Sequence, residues 1–405
     1  MATIYVSDTS GNDGNDGSEG SPKATIQAGV NAADDSSPAV VIILDSATYS
    51  EQVNVGTDSG FTPQNITIKG ADGQLPVLDG AGGTSGGISG FQARDGSTRT
   101  VTVQNIKFTR HGGSNGGVFK GNGGSFLGLA FAATDCEFNA NTSAIFNRTG
   151  GNSGAPSSAN RCKFTENTAN LVRQQSGAGD MFVNFTNCVF GIKASTEGLD
   201  FESGKDNGTV KNCSFVADLS STNHIVRAGV VENTVVQNLS TTSGGSQTSV
   251  GIEANSSRSN NCTFGNFGTA QTGGTDGGNN LTGQDPLFTD TTLSNPDLQI
   301  SSASPCRDAG KTIEAITTDF AGVSRPQGAA YDIGAFEFVF WMNDDGQEGG
   351  ERKFGPNSFS LRTTKKKLAT RTFAVAGLNR QAPFFVSMPG PPTIRKRTDP
   401  YKNET

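Results

Sequence analysis

Five of the chain's six cysteines stand in one short phrase: a polar residue, Cys, any residue, then Phe. The phrase reads Asp135-Cys136-Glu137-Phe138, Arg161-Cys162-Lys163-Phe164, Asn187-Cys188-Val189-Phe190, Asn212-Cys213-Ser214-Phe215 and Asn261-Cys262-Thr263-Phe264. The first four cysteines lie 26, 26 and 25 residues apart. A degenerate copy, Asn233-Thr234-Val235-Val236, fills the longer gap before Cys262. Earlier copies, Asn65-Ile66-Thr67-Ile68 and Asn105-Ile106-Lys107-Phe108, carry an aliphatic residue at the cysteine position. A period of this length is the signature of a solenoid, in which each repeat buries its apolar face against the next.

Side chains alternate along an extended strand, so Cys and the Phe two residues on share one side. That side is the interior. Stacking one repeat on the next at about 4.8 Å places Cys over Cys and Phe over Phe. Each repeat holds a second extended stretch: Ala144-Ile145-Phe146, Asn170-Leu171-Val172, Leu199-Asp200-Phe201, His224-Ile225-Val226 and Val250-Gly251-Ile252. Gly, Asn and Ser runs separate the stretches and serve as corners. Short strands without a helical pattern predict an all-β fold, a single-stranded parallel β-helix. The chain lacks the recurrent Leu pattern of a leucine-rich solenoid. The five repeated cysteines read as interior packing groups, because a row of five cannot all pair and a buried thiol packs as a small apolar group. No Cys-x-x-Cys or nearby His supports zinc.

Only 33% of the 405 residues are apolar and 54 are glycine, a balance expected where corners outnumber inward positions. Of the aromatic residues, 26 are Phe against four Tyr and one Trp, which favours core filling over amphipathic sugar platforms. No apolar run reaches the length of a membrane span, and no basic-then-apolar leader opens the chain. Neither membrane attachment nor a classical signal is expected. No metal or cofactor motif stands out; the Asp-Gly loop Asn12 to Gly17 lacks the ligand spacing of a calcium loop.

Residues 1–35 are expected to form an N-terminal cap, with Ile26, Val30 and Ala33 at helical spacing to cover the open end of the core. The β-helix is expected over 36–300 and its closing segment over 301–339. Tyr5-Val6, Gly11-Asn12-Asp13-Gly14, Ala24-Thr25-Ile26-Gln27-Ala28, Thr48-Tyr49-Ser50-Glu51 and Val77-Leu78-Asp79-Gly80 resemble the opening of pectin-lyase-like right-handed β-helix proteins. Asp285-Pro286-Leu287-Phe288, Ser304-Pro305-Cys306-Arg307-Asp308-Ala309-Gly310 and Asp332-Ile333-Gly334-Ala335-Phe336-Glu337 are similar to the closing motifs of many such proteins. The resemblance implies a right-handed helix over about residues 1–339. That fold hosts lyases, hydrolases, adhesins and viral spikes, so it implies no single function.

Residues 340–405 form a basic C-terminal arm of balance +6, which leaves residues 1–339 at −13. The arm contains Lys365, Lys366, Lys367, Phe384, Phe385, Arg395, Lys396 and Arg397, a combination suited to docking on an acidic partner. An acidic body repels phosphate, so nucleic acid is not an expected ligand. Arg173, Asp200, Glu202, Arg227 and Glu253 recur on the second strands of successive repeats. Two carboxylates on such a face can hydrolyse a glycoside. The plainer reading is a solvated or subunit-facing ladder of alternating charge. Taken together, these features favour a structural protein of a virus surface, such as a bacteriophage capsid decoration or fibre, attached to capsid or tail through the arm. Phage β-helices of this look are generally homotrimers, so the resemblance implies a trimer. A cell-surface polysaccharide is the expected further ligand. The alternative is a polysaccharide lyase or glycoside hydrolase.

Overall fold

The computed structural model describes residues 2–33, 38–55, 65–80, 88–90, 99–112, 117–121, 129–148, 156–174, 182–193, 198–200, 208–219, 224–241, 249–342 and 348–351. Three parallel sheets run along the described coils, and each strand pairs with its counterparts one coil away. The first sheet runs from Ala2–Val6 through Ala39–Ile43, Leu129–Thr134 and Thr209–Lys211 into His224–Glu232 and Val250–Ser259. The second runs from Thr48–Tyr49 through Glu137–Asn139, Lys163–Thr165, Val189–Ile192 and Ser214–Ala217 to Leu281–Thr282. The third contains Val53–Val55, Ile88–Gly90, Gly117–Gly121, Ala144–Arg148 and Val172–Gln174. The winding is that of a right-handed parallel β-helix, the hand that right-twisted strands impose on parallel crossovers.

A tight corner joins the first sheet to the second, and one residue there adopts a left-handed conformation on coil after coil. These residues are Asn105, Asp135, Arg161, Asn187, Asn212, Asn233, Asn260 and Asn279, with φ between 49° and 57°. Asn and Asp tolerate that region best. Arg161 is the poor fit, and its guanidinium makes two 2.7 Å hydrogen bonds to Asp135, the corner residue one coil away. Immediately after the corner, Cys136, Cys162, Cys188 and Cys213 turn into the core and are fully buried. Burial pushes the thiols of Cys136, Cys162 and Cys188 well above the usual range.

Behind that ladder stands a column of phenylalanines. Phe108, Phe138, Phe164, Phe190 and Phe215 stack with ring centroids 5.2, 4.8, 4.7 and 4.1 Å apart and planes within 9°. Phe119 and Phe185 meet this column edge-on, and Phe146 contacts both of them at 5.3 and 5.9 Å. At the N-terminal end, Ile26–Ala32 is the helix expected from the spacing; Ile26 and Val30 join the core. The Glu51 carboxylate accepts hydrogen bonds from the Ile26 and Gln27 amides at 2.7 and 2.9 Å, satisfying the first turn. Asp13 accepts from the Ala24 and Thr25 amides.

The fifth phrase departs from the expectation that Cys262 and Phe264 face inward. The pairing sets Val235 beside Cys262 and Val236 beside Thr263, whereas Ser214 and Phe215 pair with those same valines. Cys262 therefore continues the outward column of Ser214 and Val235, and Thr263 takes the inward place after Phe215 and Val236. The corner is made at Asn260 rather than Asn261. Moving the corner by one residue sends every following side chain to the other face. Asn261 instead occupies the ladder position, where its side chain accepts from the Thr234 amide and donates to the Val231 carbonyl.

The last parallel strand is Leu281–Thr282, and the chain then folds back along the outside of the second sheet. Phe288–Asp290 and Asp297–Ile300 form an antiparallel hairpin at the start of this segment. From there Lys163 reaches Asn295, Asn187 reaches the Thr318 carbonyl, and Asn233 exchanges two bonds with Lys311. Leu298, Ala335 and Phe336 cover the outward Val189 and Val216. The backbone comes so close that a Cβ on Gly191 would sit 2.1 Å from the Leu293 carbonyl oxygen.

Within this segment Arg325 is buried, and its Nη1 lies 2.5 Å from Glu337 Oε1. Its other nitrogen donates to the Gly334 carbonyl at 2.8 Å. Burial pushes Asp319 up to about 6, against the pull of Arg325. It pushes Asp332 up to about 7, with the Glu337 charge adding to the rise. Glu337 is raised by burial as well, opposed by Arg325. Farther on, Phe340–Met342 pairs antiparallel with Glu348–Glu351. The arm residues Lys365, Lys366, Lys367, Phe384, Phe385, Arg395, Lys396 and Arg397 lie outside the described residues.

Candidate functional site

Two register columns carry the polar residues singled out from the sequence. One, on the third sheet, reads Asn54, Ser89, Lys120, Asn147 and Arg173 over successive coils. A second reads Asp200, Arg227, Glu253 and Thr272. Asp200, Arg227 and Glu253 thus stand side by side on three consecutive coils, as the repeat spacing implied. Arg173 closes the column before them, and Glu202 lies outside the described residues.

Their positions are fixed from behind. Leu199, Val226 and Ile252, each one residue before a column member, are fully buried in the core. His224–Glu232 and Val250–Ser259 are long strands of the first sheet, interrupted only by a bulge between Ala228 and Val230. Such a bulge re-aims side chains without breaking the strand. The coil above is pressed tight: the Gly198 amide donates to the His224 carbonyl at 3.0 Å. A Cβ on Gly198 would lie 2.1 Å from the Ile225 carbonyl oxygen, so no larger residue fits.

The composition of the site differs from the sequence reading by one residue. His224 Nε2 lies 2.5 Å from Glu253 Oε2, reaching diagonally from one coil to the next. The two side chains are 16% and 23% exposed, open enough to meet a ligand yet sheltered from full hydration. Repeat alignment pairs His224 with Val250, which hides this contact. The available signal was position: His224 opens the strand that carries Arg227, three residues on.

A carboxylate held on Nε2 orients the imidazole and leaves Nδ1 as the ring atom for proton transfer. An imidazole–carboxylate pair on a solvent-facing wall can act as general acid or base. Asp200 and Glu253 stand two rungs apart, about 9–10 Å by strand spacing. No group of three or more His, Cys, Asp or Glu suited to a metal occurs among the described residues.

The sequence matches no family model and no curated protein. Several solved structures share its general winding. One is pectate lyase Pel9A, at 15% identity and TM-score 0.39, covering 83% of this chain and 96% of that one. Another is the GH136 lacto-N-biosidase of Eubacterium ramulus, at 11% identity and TM-score 0.29, covering 69% and 67%. A third is XylC in complex with xylose, at 8% identity and TM-score 0.25, covering 83% and 98%. These are likenesses of chain path, not of any site.

Proposed function

We propose that the chain binds a polysaccharide along the Asp200–Arg227–Glu253 column and cleaves it there. The observation that carries this reading is the His224–Glu253 contact beside Arg227, on the same register column as Asp200. A purely solvating ladder needs only charges that alternate from rung to rung. Here an imidazole from outside the column meets the Glu253 carboxylate, a pairing able to pass a proton as well as to balance charge. In this reading His224 and Glu253 move the proton, and Arg227 holds a polar or anionic group of the sugar. Asp200 supplies the second carboxylate position. The attachment role expected for the arm rests on residues outside the described ones, and no contact described above favours it over cleavage.

The test is incubation of the full chain with a panel of neutral and acidic polysaccharides, following new reducing ends and unsaturated sugar products separately. Unsaturated ends indicate elimination, and reducing ends without them indicate hydrolysis. His224→Gln and Glu253→Gln are expected to lower the rate by about 100-fold or more, in line with lost acid–base catalysis, while leaving the melting temperature unchanged. Full activity in both variants, or no product from any polysaccharide, would overturn the proposal.

A further inference from the structure

The shifted corner at Asn260 has placed Cys262 where no other repeat puts its cysteine. It leaves the core ladder and faces the folded-back segment, where the sixth cysteine, Cys306, meets it. Both are fully buried in one small cluster with Val235, Ile300 and Ile333. The two cysteines are thus packed together in the same buried cluster. Cys262 Sγ donates to the Gln284 carbonyl at 3.4 Å. The Cys306 backbone is itself pinned: its amide donates to Ser304 Oγ at 3.1 Å, and its carbonyl accepts from the Ile333 amide at 2.9 Å.

We propose that Cys262 and Cys306 are a disulfide-forming pair that fastens the C-terminal segment to the coil before the last. The ladder cysteines are neighbours too, but they stack from adjacent parallel strands with side chains pointing the same way. Such pairs keep their Cβ atoms near the strand spacing of about 4.8 Å, beyond the usual disulfide range of about 3.5–4.5 Å. Cys262 and Cys306 approach from two different elements, the arrangement that lets two Cβ atoms point at each other.

The reaction is thiol–disulfide exchange with a small disulfide oxidant such as oxidised glutathione. One cysteine thiolate attacks the oxidant and releases one thiol, and the second cysteine then displaces the other. Two S–H bonds are lost, one S–S bond forms, and the oxidant leaves as two reduced thiols. The contact with Cys262, together with burial, raises the Cys306 thiol well above its ordinary range. Thiolate is therefore scarce while the segment is docked, and exchange proceeds when the segment opens or before it first docks.

The experiment incubates the full chain with oxidised glutathione and maps cysteine links by mass spectrometry under non-reducing conditions. The expected product is a single link, Cys262 to Cys306, with Cys136, Cys162, Cys188 and Cys213 still thiols. Proteolysis within residues 283–338 should then slow by on the order of 100-fold, and recover on reduction, because the link suppresses opening. Cys306→Ser should form no link and show no redox dependence, while its thermal unfolding confirms that it folds. Persistence of both thiols after oxidation of a partly opened sample in mild urea, or links among the ladder cysteines, would refute the pairing.

Discussion

Arg325→Met removes the cation on which the buried carboxylates of the C-terminal segment depend. In the native protein Asp319 and Asp332 sit near 6 and 7 instead of the ordinary 3.8. Shifts of that size correspond to about 3 and about 4 kcal/mol of disfavoured ionisation, as orders of magnitude. Both shifts are upward, so between about pH 4 and 7 the folded protein holds protons that the unfolded chain has lost. Their contribution is fully present below pH 4 and is lost as pH rises through 6 to 7. Arg325 offsets part of the strain by pairing with Glu337. Without it Glu337 is left buried and unpaired, which costs about 3–5 kcal/mol when it is ionised. Protonation relieves that penalty. The variant should therefore lose several kcal/mol against the native protein at pH 8 and much less at pH 5. Urea unfolding at the two pH values, with hydrogen exchange over residues 288–338, measures the difference. An equal deficit at both pH values would show that Arg325 acts through packing rather than charge, and no deficit would refute the account altogether.

Phe190→Ala should destabilise the helix by about 3–5 kcal/mol, because the ring is fully buried between two stacked neighbours and the column cannot collapse around the gap. An unchanged denaturation midpoint would contradict the column. Gly191→Val should push the C-terminal segment off the second sheet, since its first carbon already overlaps the Leu293 carbonyl. Limited proteolysis should then cut within residues 283–338 while the core coils stay resistant; equal resistance throughout would show that the backbone yields instead.

The inward ladder was legible because its signal is local: a cysteine, a phenylalanine two residues later, and a corner residue just before. Cys136 to Cys213 follow that rule and land where it places them. Cys262 does not, because Asn260 and Asn261 both suit a left-handed corner and the phrase cannot say which makes it. What settles the register is not within the phrase. The polar side chains Asn261 and Thr263 fill the inner face of that coil, and Ile300, Cys306 and Ile333 receive Cys262 outside. The column Asp200–Arg227–Glu253 was legible from repeat spacing alone. The His224 contact was not, since it runs diagonally between rungs. The path of the closing segment is equally hidden, because its hydrogen bonds to Lys163, Asn187 and Asn233 span 132, 131 and 78 residues.

That returning segment changes the mechanics of the molecule. A bare solenoid is a one-dimensional array in which each coil feels only its neighbours, and fraying at one end need not disturb the other. Here a single stretch of chain is bonded to the coils of Lys163, Asn187, Ser214, Asn233 and Asn260 at once. Those coils are tied in parallel as well as in series, so none can open without releasing the splint or carrying its neighbours along. Among the described residues, the coils before Lys163 show no backbone–backbone hydrogen bond to that segment. The protein is thus built as a cooperative block with a more independently melting N-terminal half, with Lys120 and Asn147 in one zone and Arg227 and Glu253 in the other.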